Sequence, residues 1–192
     1  MILLVGPPGS GKTTQAKFLA KKYGIPAFSM ADLVKKQMVH KKDADSRALA
    51  AAIASEELLP DDAATGLIRA QVQHVDLRKG FVLDGYPSTA GQAKSLDQML
   101  QEQRLIQKVV VVVLDATDDV IRKRMLARKR VDDKPETIDR RIQGFRTEAA
   151  LLIGWAGQTN VVRVNANVGV GDLSKQIVAG LENTWAKQTS GQ

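Results

Sequence analysis

Near the amino end, residues 6–13 read Gly6-Pro7-Pro8-Gly9-Ser10-Gly11-Lys12-Thr13. Glycines let consecutive backbone N–H groups converge on one anion, and a helix that follows adds the positive end of its dipole. Lys12 is expected to reach the β and γ phosphates of a nucleotide, and the Thr13 hydroxyl is expected to bind Mg²⁺. The apolar run at residues 2–5 and the amphipathic segment at residues 14–23 provide the strand-loop-helix setting of such a loop. The segment therefore predicts nucleotide binding, with a plain glycine turn as the alternative.

A candidate metal-binding carboxylate follows in the stretch Phe81-Val82-Leu83-Asp84-Gly85-Tyr86-Pro87. Asp84 ends an apolar run, and in a parallel sheet the carboxyl ends of the strands face the ligand crevice. Asp84 would then lie near the glycine-rich loop and hold Mg²⁺ through the water shell of the ion. Thr13 and Asp84 are the candidate metal residues, and a turn without function is the alternative for Asp84.

Short apolar runs recur along the chain and are separated by longer segments with helical periodicity. They lie at residues 2–5, 27–29, 81–83, 109–114 and 161–164. This alternation predicts an α/β fold in which a parallel sheet is covered by helices on both faces. The segment 31–74 is expected to be helical with a break at Pro60.

A later segment shows one apolar helical face opposite two arginines. Arg140 and Arg141 point away from that face, which is formed by Ile138, Ile142, Phe145, Ala149 and Leu152. We expect the helix to be anchored by its apolar face and to present guanidinium groups on the other side.

Composition limits the classes of protein to consider. A chain of 192 residues, 44% of them hydrophobic, is long enough for one compact domain. Cysteine is absent, which excludes disulfides and thiolate zinc sites and fits a reducing compartment. There is no basic leader, and the longest apolar run, 109–114, is far short of the about 20 residues that span a bilayer. We expect a cytoplasmic protein without membrane contact.

The net charge of +7 raises the question of nucleic-acid binding. Only 4% of the residues are aromatic, and no recognised nucleic-acid module is present. Many basic residues lie between 122 and 146, where an enzyme of phosphate transfer would use them on its own substrates. We therefore predict no dedicated binding of DNA or RNA.

Four pieces of the chain together resemble the adenylate kinase family of nucleoside monophosphate kinases. They are residues 6–15, 29–35, 83–92 and 124–141, and the resemblance runs from residue 1 to about residue 185. It implies one P-loop NTPase-type domain over residues 1–192, a three-layer αβα fold with a five-stranded parallel sheet. It also implies a helical monophosphate-binding region at residues 30–75 and a short lid at residues 128–136.

The resemblance implies an activity as well. Members of the family move the γ-phosphoryl group of ATP to a nucleoside monophosphate, commonly AMP, with Mg²⁺. The cofactor-binding candidates are the loop residues Gly6, Pro7, Pro8, Gly9, Ser10, Gly11, Lys12, Thr13 and Thr14, together with Arg128. We expect the chain to act as a monomer.

Such an enzyme must neutralise two phosphate groups, hold the reacting oxygens in line and exclude water. The positions that resemble the phosphate-contacting arginines of the family are Arg124, Arg128, Arg130 and Arg141. We take Lys12, Arg124, Arg130 and Arg141 as catalytic candidates. The neighbouring basic residues Arg122, Lys123, Lys129 and Arg140 are interpreted as solvated helix residues. Pro135 suits the start of the helix that follows the lid.

The acceptor side departs from the family pattern. The arginine expected after Asp-Gly-aromatic-Pro is Ser88, a second expected arginine is Lys35, and the expected Thr-Gly before Asp32 is Met30-Ala31. Gln92, which resembles the residue that reads the adenine edge of AMP, is retained. The substrate-binding candidates are therefore Met30, Asp32, Lys35, Gly85, Ser88 and Gln92.

The loss of the guanidinium at position 88 should weaken acceptor binding or transition-state stabilisation by about 2 to 4 kcal/mol. Three hypotheses remain: a weak or atypical nucleoside monophosphate kinase, a kinase for a different small acceptor, and an ATP-binding module with little transfer activity. We favour the first, because the lid arginines have little purpose in a protein that only binds ATP.

Overall fold

The computed structural model describes residues 1–40, 59–102, 109–128, 134–156 and 160–190. Five parallel strands form one sheet in the order β2-β3-β1-β4-β5. The strands are β1 (Ile2–Val5), β2 (Ala27–Ser29), β3 (Val82–Asp84), β4 (Val110–Asp115) and β5 (Val161–Asn165). All five lie within one residue of the apolar runs, which confirms the predicted sheet.

The helices connect these strands and cover both faces of the sheet. They are α1 (Lys12–Tyr23), α2 (Met30–His40), α3 (Asp61–Val72), α4 (Ala90–Glu102), α5 (Asp118–Arg128), α6 (Pro135–Ala156) and α7 (Val170–Ser190), with a 3₁₀ turn at Leu77–Lys79. Alternate residues of β1 enter different cores, because successive side chains of a strand point to opposite faces. Leu3 belongs to the core that also contains residues of α2, α3, α4 and α6, whereas Leu4 belongs to the core that contains residues of α1 and α7. The three-layer αβα fold is confirmed.

The sheet places its ligand crevice beside β1. Leu3 pairs with Leu83 of β3 on one side and with Val111 of β4 on the other, so the strand order reverses direction at β1. In open parallel sheets, ligands bind outside the carboxyl ends of the strands at such a reversal. The glycine-rich loop follows β1 and Asp84 ends β3, so both lie at this point.

Helix α6 is anchored as its periodicity predicts. Its predicted apolar face is buried at Ile138, Ile142, Ala149 and Leu152 and partly buried at Phe145. Ile121 and Met125 of α5 pack on Ile138 and Ile142, so the two helices that flank the lid segment share a small core. Helix α6 begins at Pro135, as predicted.

Two regions implied by the resemblance are described only in part. Within residues 30–75, α2 and α3 are helical, and residues 41–58 lie outside the described residues. Within the lid, residues 129–133 lie outside them as well, and these include the catalytic candidate Arg130. In the ranges that the structure does describe, no helix combines the length and the apolar character needed to cross a membrane.

Candidate active site

The glycine-rich loop needs glycine for its backbone shape and for its closeness to the sheet. Gly9 and Gly11 have φ angles of 80° and 101°, in the left-handed region that other residues rarely adopt. A Cβ added at Gly6 would lie 2.6 Å from Ser10 Oγ and 3.0 Å from Leu114 Cβ. The loop therefore folds tightly over the ends of β1 and β4, with α1 beginning at Lys12.

Lys12 lies over the loop that precedes it. Its Nζ atom donates hydrogen bonds to the carbonyl oxygens of Gly6 at 2.5 Å and Pro7 at 3.1 Å. These bonds fold the Lys12 side chain back over the loop, whose backbone continues into the start of α1. Ammonium, N–H groups and helix dipole together make a site for an anion.

Thr13 and Asp84, the two candidate metal residues, are in direct contact. The Thr13 hydroxyl donates to Asp84 Oδ2 at 2.6 Å, although the two residues are 71 positions apart. The Asp84 side chain is buried, at 4% exposure, next to the loop. A hydroxyl and a carboxylate are oxygen ligands of the kind that Mg²⁺ prefers. Among the described residues, no group of three or more His, Cys, Asp or Glu is placed to hold a metal ion. A Mg²⁺ ion held by Thr13 and Asp84 would complete its coordination with water and phosphate oxygens.

A cavity of about 530 Å³, here called the phosphate cavity, opens in front of the loop. Arginines from α5 and α6 face the loop across it, so cationic groups surround the space from several sides. Its predicted site residues are Pro8, Gly9, Gly11, Lys12, Thr13, Thr14, Asp84, Gly85, Arg124, Arg128 and Arg141. The structure therefore brings together most of the residues that the sequence assigned to ATP and metal.

A second cavity of about 510 Å³, here called the side cavity, adjoins the first. Lys12, Gly85 and Arg141 line both spaces. The side cavity also holds the predicted residues Gly6, Met30, Ser88 and Gln92. Its apolar lining includes Leu59, Ala64 and Phe145. A cationic wall is thus shared by two pockets of similar size.

Some predicted residues lie elsewhere. Asp32 and Lys35 are exposed on α2 and line neither of these two cavities. Pro7 lines a different crevice, at the carboxyl ends of β4 and β5. Ser10 is buried under the loop, and among the described residues its hydroxyl has no hydrogen-bond partner. The ligand assignments of these four residues, of Arg130 and of all the other site residues stay predictions.

Arg124 has a specific structural position. Its Nη1 donates to Ala166 O at 2.8 Å and its Nη2 to Val168 O at 2.9 Å. The guanidinium therefore ties α5 to the loop between β5 and α7 at the edge of the phosphate cavity. Sequence spacing could not show these bonds, because the partners are 42 and 44 residues away.

Arg140 is a residue whose surroundings the sequence reasoning missed. It is exposed, as expected, yet it also lines the side cavity together with Arg141 and Ser88. Adjacent residues on a helix are about 100° apart, so two neighbouring arginines can flank one opening. The sequence signal that could have found Arg140 is the pair Arg140-Arg141 opposite an apolar helix face. Of this pair, the sequence pattern gives a phosphate-binding role to Arg141 alone.

Ser88, Gln92 and Asp61 form a hydrogen-bonded network at the wall of the side cavity. The Ser88 N–H and hydroxyl donate to Gln92 Oε1 at 2.8 and 3.1 Å. Gln92 Nε2 donates to Asp61 Oδ1 at 3.2 Å, and the Thr89 hydroxyl donates to the same oxygen at 2.7 Å. Asp61 is a residue that sequence reasoning missed, because only the packing of α3 on α4 brings it to Gln92.

Tyr86 supports the same wall from below. Its hydroxyl lies 3.0 Å from Thr65 Oγ1 and donates to the backbone carbonyl of Gln92 at 3.2 Å. Burial raises the pKa of Tyr86, and its hydrogen bond with Thr65 opposes part of that increase. The phenol therefore stays protonated at neutral pH and holds the start of α4 to α3.

Comparison with known proteins agrees with this geometry. The family model for adenylate kinase matches residues 4–161. An adenylate kinase of Corynebacterium urealyticum is 34% identical, and the match covers 94% of this chain and 98% of the relative. Adenylate kinase 1 of a Nostoc species is 33% identical, and the match covers 94% of this chain and 97% of the relative. The chain belongs to the adenylate kinase family.

Another relative extends the match almost to full length. The adenylate kinase of Sinorhizobium medicae is 33% identical, and the match covers 96% of this chain and 99% of the relative. The predicted class, an ATP-dependent phosphotransferase of the nucleoside monophosphate kinase type, is thereby confirmed. An ATP-binding module with little transfer activity is not favoured. Adenylate kinases as a family use ATP and Mg²⁺.

Proposed function

We propose that the chain reversibly transfers the γ-phosphoryl group of ATP to a nucleoside monophosphate, with AMP as the first acceptor to consider. The observation that carries this proposal is the shared wall: Lys12, Gly85 and Arg141 line both the phosphate cavity and the side cavity. Two phosphate groups that are to react must lie next to each other with their charges neutralised. Relatives named adenylate kinase support AMP as the acceptor.

In this proposal the phosphate cavity holds the triphosphate of ATP. The backbone of the glycine-rich loop and the amino end of α1 bind the phosphates, and Lys12 and Arg128 add positive charge. Thr13 and Asp84 would hold Mg²⁺, which supplies charge neutralisation and orientation of the phosphates when bound. The oxygens of these two residues, 2.6 Å apart at the edge of the loop, support that assignment.

The side cavity holds the acceptor in this proposal. Leu59, Ala64 and Gln92 surround the base, and Arg140 and Arg141 face the phosphate. Ser88 stands on the same cavity with a hydroxyl where the family pattern has an arginine. The loss of a guanidinium is expected to cost about 2 to 4 kcal/mol, and Arg140 offsets part of that loss. The result is a kinase with weakened acceptor binding.

At the junction, Lys12 and Arg141 stabilise the phosphoryl group as it passes between the two cavities. Arg124 positions the loop between β5 and α7, and Arg130 is proposed, on the family pattern, to add a further cation. We also retain residues 30–75 as the monophosphate-binding region and 128–136 as a lid that excludes water. A single domain, a monomeric state and a cytoplasmic location belong to the same proposal.

The test is a coupled assay with ATP, Mg²⁺ and a panel of nucleoside monophosphates. We expect ADP formation that depends on the monophosphate, with AMP turned over and its KM high because of Ser88. A Lys12→Met variant purified in the same way should show only background turnover, which controls for contaminating kinases. Binding of ATP without turnover of any monophosphate would contradict the proposal and support a binding module.

A further inference from the structure

The orientation of the Gln92 amide follows from the chemistry of its partners. The backbone N–H of Ser88 can only donate, so the atom that faces it at 2.8 Å is the carbonyl oxygen Oε1. An ionised carboxylate can only accept, so the atom that faces Asp61 at 3.2 Å is Nε2. The two ends of the amide are therefore assigned without ambiguity, and the side chain is 2% exposed.

The hydrogen-bonding capacity of this amide is almost used up. A glutamine carbonyl oxygen has two lone pairs, and both are taken by Ser88, one by its N–H and one by its hydroxyl at 3.1 Å. The amide nitrogen carries two hydrogens, and among the described residues only Asp61 accepts one of them. With respect to the described residues, Gln92, which lines the side cavity, therefore keeps one N–H and no lone pair for a ligand.

We propose that Ser88 holds the Gln92 amide as a donor-only reader of the acceptor base, with Asp61 fixing which end is the donor. The site then recognises a hydrogen-bond acceptor on the base edge, such as a purine ring nitrogen. Gln92 does not recognise an exocyclic amino group, because that group needs a free lone pair on Oε1. Purine monophosphates with and without a 6-amino group should therefore bind almost equally well. This inference rests on the proposed function of the side cavity.

Whether the second lone pair of Gln92 Oε1 is occupied depends on the kind of residue at position 88. A serine hydroxyl sits one carbon from the backbone and reaches Oε1 while the backbone N–H of the same residue also does so. An arginine carries its donors at the end of a long side chain and leaves the second lone pair of Oε1 open. One residue therefore affects both ends of the acceptor: its phosphate loses a guanidinium, and its base loses an acceptor for the amino group.

The experiment compares two ligands that differ by one group, AMP and purine riboside 5′-monophosphate, which lacks the 6-amino group. Their Kd values are measured by calorimetry for the natural protein, Ser88→Ala and Ser88→Thr. For the natural protein and Ser88→Thr, which keep the hydroxyl, we expect Kd values that agree within about twofold. In Ser88→Ala one lone pair of Oε1 is released, and AMP should bind about threefold to tenfold more tightly than its analogue.

Two outcomes overturn the inference: a strong preference for AMP in the natural protein, or an unchanged ratio in a folded Ser88→Ala variant. If Ser88→Ala does not fold, Ser88→Gly removes the same hydroxyl and replaces it in the comparison. Binding is measured separately from turnover, so the two proposals fail differently. Turnover of AMP without the expected ratios refutes only the inference, whereas the expected ratios without turnover refute only the kinase proposal. Failure of both ligands to bind refutes both.

Discussion

The phosphate cavity and the side cavity are built from different parts of the peptide. The phosphate cavity is built around the backbone of one short loop, whose shape depends on Gly6, Gly9 and Gly11. The side cavity is lined by side chains from α2, α3, α4 and α6 and from the loop before α4, and each of these can be exchanged singly. The family pattern is complete at the loop and altered at Met30 and Ser88 of the side cavity, and also at Lys35, which lines neither cavity. A loop whose backbone shape needs glycine tolerates little substitution, whereas a pocket lined by side chains is where specificity can change.

Removal of Lys12, one of the two cations shared by the cavities, should have the largest effect. Lys12→Ala removes the ammonium group that lines both spaces, and kcat should fall by about a thousandfold or more. The matched control is Lys17→Ala, an exposed lysine on the same helix, which should leave steady-state rates unchanged. A comparable loss in both variants would mean that the charge of α1 as a whole matters, and not its position at the shared wall.

Arg141 tests the shared wall from the side of α6. Arg141→Ala should lower kcat by about a hundredfold and raise the KM values of both substrates, because the guanidinium lines both cavities. Arg122→Ala is the control, since Arg122 pairs with Asp139 and Asp119 at the surface. If only one KM changed, Arg141 would belong to one cavity and the shared wall would reduce to Lys12.

Restoring the arginine of the family pattern at position 88 should improve the side cavity as an acceptor site. Ser88→Arg is expected to raise kcat/KM for AMP by about tenfold to a hundredfold, because a bidentate guanidinium is returned to the acceptor phosphate. Steady-state kinetics at saturating ATP measure the change. An equal or lower value would show that the side cavity has been reshaped beyond this position.

A variant of Arg140 tests the side cavity independently of the phosphate cavity. Arg140 lines the side cavity and is not among the residues that line the phosphate cavity. Arg140→Ala should raise the KM for the monophosphate by about fivefold to tenfold and leave the KM for ATP within error. Arg140→Lys, which keeps the charge and loses the planar fork, should lie between them. A rise in the KM for ATP would contradict the assignment.

The smallest effect concerns the support of the side cavity. Tyr86→Phe removes the hydroxyl that contacts Thr65 and the Gln92 carbonyl, and should lower the free energy of unfolding by about 1 to 2 kcal/mol. Urea denaturation measures that change. Since the phosphate cavity does not use this hydroxyl, the KM for ATP should stay constant, and a large change in it would show that the two halves are coupled through α4.

Much of the fold could be predicted from local patterns. Apolar runs placed all five strands to within one residue, because a strand buried on both faces has a simple hydrophobic signature. The start of α6 at Pro135 was also predictable, since proline fits the first turn of a helix. The apolar face of α6 followed from helical periodicity alone.

The side cavity could be predicted less well. Sequence comparison marked Ser88 as a departure, but it could not show that the serine hydroxyl occupies the Gln92 amide. Likewise, Lys35 was expected at the acceptor and is exposed on α2, outside both cavities. A pattern of residue types states which groups are present, and it does not state which atoms they reach.

By itself the sequence determined the phosphate loop, the sheet and the family, because these depend on contiguous residues and their periodicity. Only the tertiary structure decided which distant groups meet. Asp61 reaches Gln92 across 31 residues, Thr13 reaches Asp84 across 71, and Arg124 reaches Ala166 across 42. A hydrogen bond is sensitive to changes of a few tenths of an ångström in the distance between donor and acceptor. That distance is set by the packing of the helices on the sheet.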